Sequence, residues 1–286
     1  MEIREIQYND NAENRITVFS SKTSDAATLI CLPAMGMRAK YYELFANSLC
    51  EKGFNVITAD WRGLGHSSIR ASRNTDFGYK EFIQDLGQLI EFSNNWFPNT
   101  KKIIVGHSLG GQIGSLFAAR FPDLINGLIL ITSCSVYYKG WSKWTALKLR
   151  FAGTIFHPIS IIIGYFPGNK IGFAGKEART VIRDWSYNAR NGNYKLTDSD
   201  FDYEKALKRL NKPVMSISIE NDYLASRKAV ENLYNKFSPE SDISHLHLTS
   251  EETGISPLNH FAWAKKPEYF SGITEKWWNE KEMKSL

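Results

Sequence analysis

Two hydrophobic patterns alternate along the chain. Short continuous apolar runs read as buried strands, and longer stretches with apolar residues every three or four positions read as helices. The runs are 28–32 (TLICL), 55–59 (NVITA), 102–105, 125–131 and 213–219 (PVMSISI), with a further strand near 244–248. Between them lie helical patterns over 41–52, 82–96, 110–121 and 227–237, and a last helix is expected near 267–281. Strands 2–8 and 15–20, joined by an Asn- and Asp-rich turn, read as an antiparallel start. Strand–helix alternation of this kind builds a mainly parallel sheet with helices on both faces.

The rhythm breaks between residues 135 and 210, which are aromatic-rich, partly helical and not strand-like. The expected organisation is one α/β core made of 1–134 and 211–286, with 135–210 inserted as a mostly helical cap. Within it, 151–166 (FAGTIFHPISIIIGYF) is the longest apolar stretch. It falls short of the ~20 residues of a membrane span and contains Pro158, so it reads as a hydrophobic flap rather than a stable membrane insertion. A role at a membrane surface stays open.

Composition adds mostly exclusions. Hydrophobic residues make up 43% and charged residues 23% of the 286, which allows a sizeable core and argues against disorder. The net charge of +5 comes without a basic run, so nucleic acid is not an expected partner. Three cysteines without C-x-x-C spacing give neither a disulfide framework nor a zinc site, and fit a reducing, cytoplasmic setting. The N-terminal stretch is polar and has no apolar signal-peptide core.

The candidate chemistry begins at Gly106-His107-Ser108-Leu109-Gly110, a G-x-S-x-G pattern. Three fixed positions arise by chance about one time in ten in a chain this long. The context sharpens the match: a β-branched strand precedes it and an apolar, glycine-bearing helix follows. Such an elbow lifts a serine above the sheet and needs small neighbours on both sides. Serine requires a base, and the base a carboxylate, in the chain order Ser, Asp or Glu, His. Of six histidines, His260 sits in a loop (SPLNHFAW) after the last strand, where a base would be presented. His245 and His247 share one strand face but lack an obvious third metal ligand, so no metal is expected. Asp222, just past the strand 213–219, is the preferred acid, with Glu220 as rival. The oxyanion donors expected are the N–H of Leu109 and that of Met35 in the Pro33–Met37 loop, with Ala34 as the alternative.

GHSLGG, the DWRGLGHS loop, the segment 222–224 and NHF at 259–261 resemble the α/β-hydrolase superfamily. The chain is most similar to its serine-aminopeptidase-like and monoacylglycerol-lipase-like branch. PAMG at 33–36, DWRGLG at 60–65 and 164–173 resemble bacterial predicted hydrolases of unsettled substrate. The resemblance implies the α/β-hydrolase fold, with about eight strands, and cofactor-free acyl transfer from a small-molecule ester, thioester or amide. Two departures stand out. Many relatives have His-Gly where this chain has Ala34-Met35-Gly36, and Asn221 precedes the acid where Gly or Asp is frequent. Trp141, Trp144, Phe156 and Tyr165 are the candidate apolar substrate contacts of the cap. Glu177 and Asp184 are its candidate amine-holding carboxylates, and the rivals to an esterase are an aminopeptidase and a non-catalytic ligand receptor.

Overall fold

The computed structural model describes residues 1–23 and 25–285. Six strands come first: β1 (Glu2–Gln7), β2 (Glu13–Phe19), β3 (Thr28–Leu32), β4 (Asn55–Ala59), β5 (Lys102–His107) and β6 (Gly127–Ile131). Among them lie helices α1 (Glu43–Glu51), α2 (Tyr79–Trp96) and α3 (Leu109–Arg120). The excursion after β6 holds α4 (Lys143–Ile163), a two-residue strand pair β7 (Phe166–Pro167) and β8 (Lys176–Glu177), α5 (Arg179–Asn191) and α6 (Tyr203–Leu207). Then follow β9 (Val214–Ile219), α7 (Arg227–Tyr234), β10 (Ile243–Leu248), α8 (Ser250–Thr253) and α9 (Glu268–Ser285).

Eight strands form one sheet in the order β1-β2-β4-β3-β5-β6-β9-β10. β1, β2 and β4 pair antiparallel, and every pairing from β4 to β10 is parallel. All five residues of β3, β4 and β6 are buried, as a strand covered on both faces requires. One face is covered by α1 and α9 through Phe45, Leu49 and Phe270. The other is covered by α2, α3 and α7 through Phe82, Phe117 and Leu233. Each fully buried side chain of this size stabilises by about 1.5–3 kcal/mol relative to exposure.

The register decides where chemistry can occur. Leu32 stands opposite Gly106, Ile131 opposite Ile217, and Leu248 opposite Ile219. The strands therefore end on a common rim, and the segments that leave β3, β5, β9 and β10 emerge side by side.

The excursion differs from expectation in three ways. The 151–166 flap is helical as far as Ile163, as part of a 21-residue helix that runs through Pro158. Proline removes one N–H and kinks a helix but does not end it when the flanking turns are packed. Here Gly153 lies against Ala189, where a β-carbon would come within 3.0 Å, and Arg190 donates to the Gly153 carbonyl. The segment also contains one short strand pair. Finally, α6 packs on α3 beside the core, with Arg120 donating to the Tyr203 hydroxyl.

Candidate active site

Ser108 joins β5 to α3 with φ 53° and ψ −115°, a left-handed conformation that a non-glycine residue seldom holds. Three glycines make it possible. A β-carbon at Gly106 would fall on the Gly111 backbone, one at Gly110 on the Leu32 carbonyl, and one at Gly111 on Ser133. The Ser108 N–H donates to the Ile131 carbonyl at 3.1 Å, and the Ser133 hydroxyl donates to the Gly106 carbonyl at 3.0 Å. The elbow is thereby tied to the neighbouring strand. Leu109 opens α3, so its N–H belongs to the first turn, which has no intrahelical acceptor.

Asp222 and His260 meet although 38 residues separate them. His260 Nδ1 lies 2.7 Å from Asp222 Oδ2, with their side chains 5% and 0% exposed. The other carboxylate oxygen, Oδ1, accepts from the Leu224 and Ala225 N–H groups at 2.8 and 2.9 Å. The carboxylate is thus fixed from both sides. With Nδ1 donating to Asp222, Nε2 of the neutral ring is left as the acceptor. Asn221 supplies the turn before the acid with φ 54°, a region that Asn tolerates. Glu220 is turned elsewhere and accepts from the Ser250 N–H at 2.6 Å.

Ser108, Leu109, Met35 and His260 all line one cavity of about 470 Å³. Of the expected apolar contacts, Trp141 and Phe156 line it, together with Leu149 and Phe173. Trp144 and Tyr165 do not. Trp144 is 78% exposed on the outer side of α4, turned around the helix from Leu149, Ala152 and Phe156, which line the cavity. Tyr165 lies past the end of α4, with the Lys176 ammonium 4.2 Å from its ring centre. Lys148 is the lone Lys, Arg, Asp or Glu among the lining residues.

The two candidate oxyanion N–H groups of the Pro33–Met37 loop differ. The Ala34 N–H donates to the Tyr42 hydroxyl at 3.1 Å, so it is already committed. Among the described residues no acceptor is recorded for the Met35 N–H. Tyr42 in turn lies 2.6 Å from His107 Nδ1. Burial holds the His107 pKa well below its usual value, and its Nδ1 shares this hydrogen bond with the phenol. The His107 ring centre lies 4.8 Å from that of His260. This Ala34–Tyr42–His107 connection was not foreseen; nothing in the sequence pairs residues 42 and 107. The DWRGLGHS loop is likewise a brace rather than a contact. Asp60 accepts from the Ala39 and His66 N–H groups at 2.7 and 3.0 Å, and Trp61 donates to the Pro33 carbonyl at 2.7 Å.

The remaining candidates are structural. Ser218 contacts both His245 Nε2 and His247 Nδ1, at 2.9 and 2.8 Å. Asp184 is buried and accepts from Tyr79 and Thr197, and Glu177 is buried and accepts from the Gly175 N–H at 2.9 Å. Neither carboxyl lines the cavity. Gly175 also abuts Gly36, where a β-carbon would come within 2.5 Å of the Ala174–Gly175 backbone, so Glu177 holds the segment that covers the Pro33–Met37 loop.

Burial pushes the Glu177 carboxyl from 4.5 up to about 7. The folded chain then binds this proton more tightly than the unfolded chain. The stability this gives is full below about pH 4.5 and is lost as pH rises through about 7. The loss is on the order of 3 kcal/mol. Glu177→Gln keeps the acceptor and removes the titration. We expect it to raise the unfolding temperature at about pH 8 and to change little at about pH 5. Equal shifts at both pH values, read by thermal unfolding, would refute this.

A family model described as "alpha/beta hydrolase fold" matches residues 27–158. A lysophospholipase of Escherichia coli is 30% identical over 125 residues, covering 42% of this chain and 36% of its own length. A monoacylglycerol lipase of Mycolicibacterium smegmatis is 26% identical over 113 residues, covering 40% of each chain. The chain thus spans well under half the length of these curated relatives. Over the whole length, the structure is similar to a proline iminopeptidase of Mycobacterium smegmatis, with TM-score 0.67, 19% identity and 100% of both chains covered. Sheet order, strand-to-helix elbow and matched sequence agree: the chain is an α/β-hydrolase-fold protein.

Proposed function

We propose that this chain is a serine hydrolase that cleaves carboxylic esters of apolar acyl groups. The observation that carries the reading is the fixed Asp222–His260 pair at the wall of the cavity into which the Ser108 elbow opens. Ser108 Oγ attacks the ester carbonyl while His260 Nε2 takes its proton. Asp222 holds the ring in the correct tautomer and stabilises the imidazolium that forms. The N–H groups of Leu109 and Met35 receive the negative charge on the carbonyl oxygen. The intermediate collapses to an acyl-Ser108, and His260 returns the proton to the departing alcohol. Water then attacks the acyl group with His260 again as base, releasing the acid and restoring Ser108.

The cavity falls within the range of small-molecule sites, and its walls are mainly apolar, which suits an acyl chain. Residues 135–210 act as its cap in this reading, with α4 forming one wall. Two similar proteins, the lysophospholipase and the monoacylglycerol lipase, carry names of lipid ester hydrolases. An aminopeptidase would need a carboxylate at the cavity to hold the substrate amine. Glu177 and Asp184 are buried elsewhere, which favours the ester reading.

Labelling with a fluorophosphonate, read by mass spectrometry, tests this directly. The expected adduct is on Ser108, with p-nitrophenyl ester turnover that varies with acyl length. A folded chain that neither labels nor turns over any ester is a ligand receptor on this fold rather than a hydrolase.

A further inference from the structure

Helix α4 has two apolar faces, and only one belongs to the cavity. Leu149, Ala152 and Phe156 face inward. Trp144, Leu147, Phe151, Ile155, Pro158 and Ile162 follow the 3.6-residue period along another face. Of these, Phe151 is 65% and Ile162 75% exposed. The stripe is roughly 27 Å long at 1.5 Å per residue. A run of large apolar groups left in water at this length marks an interaction surface.

Charge identifies what would cover it. Residues 135–183 contain eight Lys and Arg and one acidic residue, Glu177, which is buried. This segment therefore carries +7, and the rest of the chain −2. Lys143 and Arg150 flank the stripe on one side and Lys148 on the other, all exposed. An apolar stripe between cationic borders suits the interface of an anionic bilayer. A second copy docked stripe to stripe would offer these cations no anionic partner, since α4 carries no Asp or Glu.

The helix is also held so that it lies flat. Arg73 donates to the carbonyls of Ile162 and Ile163 at 2.8 and 3.2 Å, and Gly153 seats its inner face on α5. By length and composition α4 could cross a membrane. Doing so would strip its inner face from the cavity wall and from α5.

We propose that the outer face of α4 docks flat on an anionic phospholipid surface. Ile171 and Tyr223 line the cavity and are also exposed at the surface. Only the nature of the cargo rests on the hydrolase reading; the docking itself does not.

The test is co-sedimentation of full-length Ser108→Ala protein, which leaves lipid intact, with two kinds of vesicle. One is phosphatidylcholine with about one third phosphatidylglycerol; the other is pure phosphatidylcholine. Binding to the anionic vesicles alone is expected, weakened when salt rises from about 0.1 M to about 0.5 M. Phe151→Gln with Ile162→Gln should lower the partition at least about tenfold. Introduced into the wild-type chain, the same pair should leave hydrolysis of a soluble short ester unchanged, which also certifies the fold.

No binding by the folded protein overturns the proposal, as does binding that ignores the double substitution. A concentration-dependent dimer that the same substitutions abolish assigns the stripe to a second copy and overturns it too. A chain that docks without cleaving any ester refutes the hydrolase reading alone. One that cleaves soluble esters but ignores vesicles refutes the docking alone.

Discussion

Replacing Ser108 with alanine is expected to lower kcat/KM on a soluble ester by roughly 10⁴–10⁶-fold while leaving the protein folded. The direction follows from the mechanism, because no acyl-enzyme can form without Oγ. The size follows from what remains: the oxyanion donors and the apolar cavity still favour the transition state, so the loss is not total. Fold should survive because serine and alanine share the same β-carbon constraint at φ 53°. The Ser108 contacts to Ile131, Gly111 and Gln112 use only its backbone. Steady-state kinetics beside thermal unfolding gives the answer. If the variant keeps more than about one hundredth of the activity, Ser108 is not the nucleophile.

Asp222→Asn is expected to cost about 10⁴-fold in kcat at nearly unchanged volume. The reason is specific to this site. Oδ1 of Asp222 accepts two backbone N–H groups, and Oδ2 faces His260 Nδ1. An asparagine must turn its carbonyl to the two N–H groups, which leaves its NH₂ toward His260. Nδ1 must then accept, so the ring proton moves to Nε2, and His260 can no longer take a proton from Ser108. The defect is a tautomer, so KM should move far less than kcat. Labelling of Ser108 by a fluorophosphonate should slow in parallel. Activity within tenfold of wild type would mean that another carboxylate orients the base.

Much of the fold could be read from hydrophobic pattern because it is dictated locally. β3 and β4 coincide with the predicted 28–32 and 55–59 runs, since short apolar-rich, β-branched runs closed by Pro33 and Asp60 leave little freedom. α2 starts three residues earlier than its first predicted apolar position, because Glu81 closes a capping interaction on the Gly78 N–H. The elbow was legible for a different reason: steric exclusion of β-carbons at three neighbouring glycines leaves a signature in the residues themselves.

What escaped reading depends on rotation and on contacts distant in sequence. The apolar stretch 151–166 showed only part of its helix, which begins at Lys143 and runs on through Pro158 while Arg190 and Ala189 on α5 hold Gly153. Without the start of that helix, the side of α4 on which Trp144 falls could not be assigned, and it lies outside the cavity. Periodicity could not reveal that Glu177 and Asp184 are buried, because both stand in short or polar stretches. The choice between Ala34 and Met35 depended on a tyrosine that closes on His107 across 65 residues.

That tyrosine also bears on precision. In a mechanical assembly, the play between two parts grows with the number of joints in the path connecting them. Through the sheet, the loop carrying Met35 and the elbow carrying Leu109 are related by the β3–β5 pairing that sets Leu32 opposite Gly106. Through Tyr42 they are related by one rigid ring and two hydrogen bonds, from Ala34 to His107. Displacements of about 1 Å are costly in an oxyanion site. The phenol acts as a gauge block between the two jaws, setting their spacing by a path too short to accumulate error.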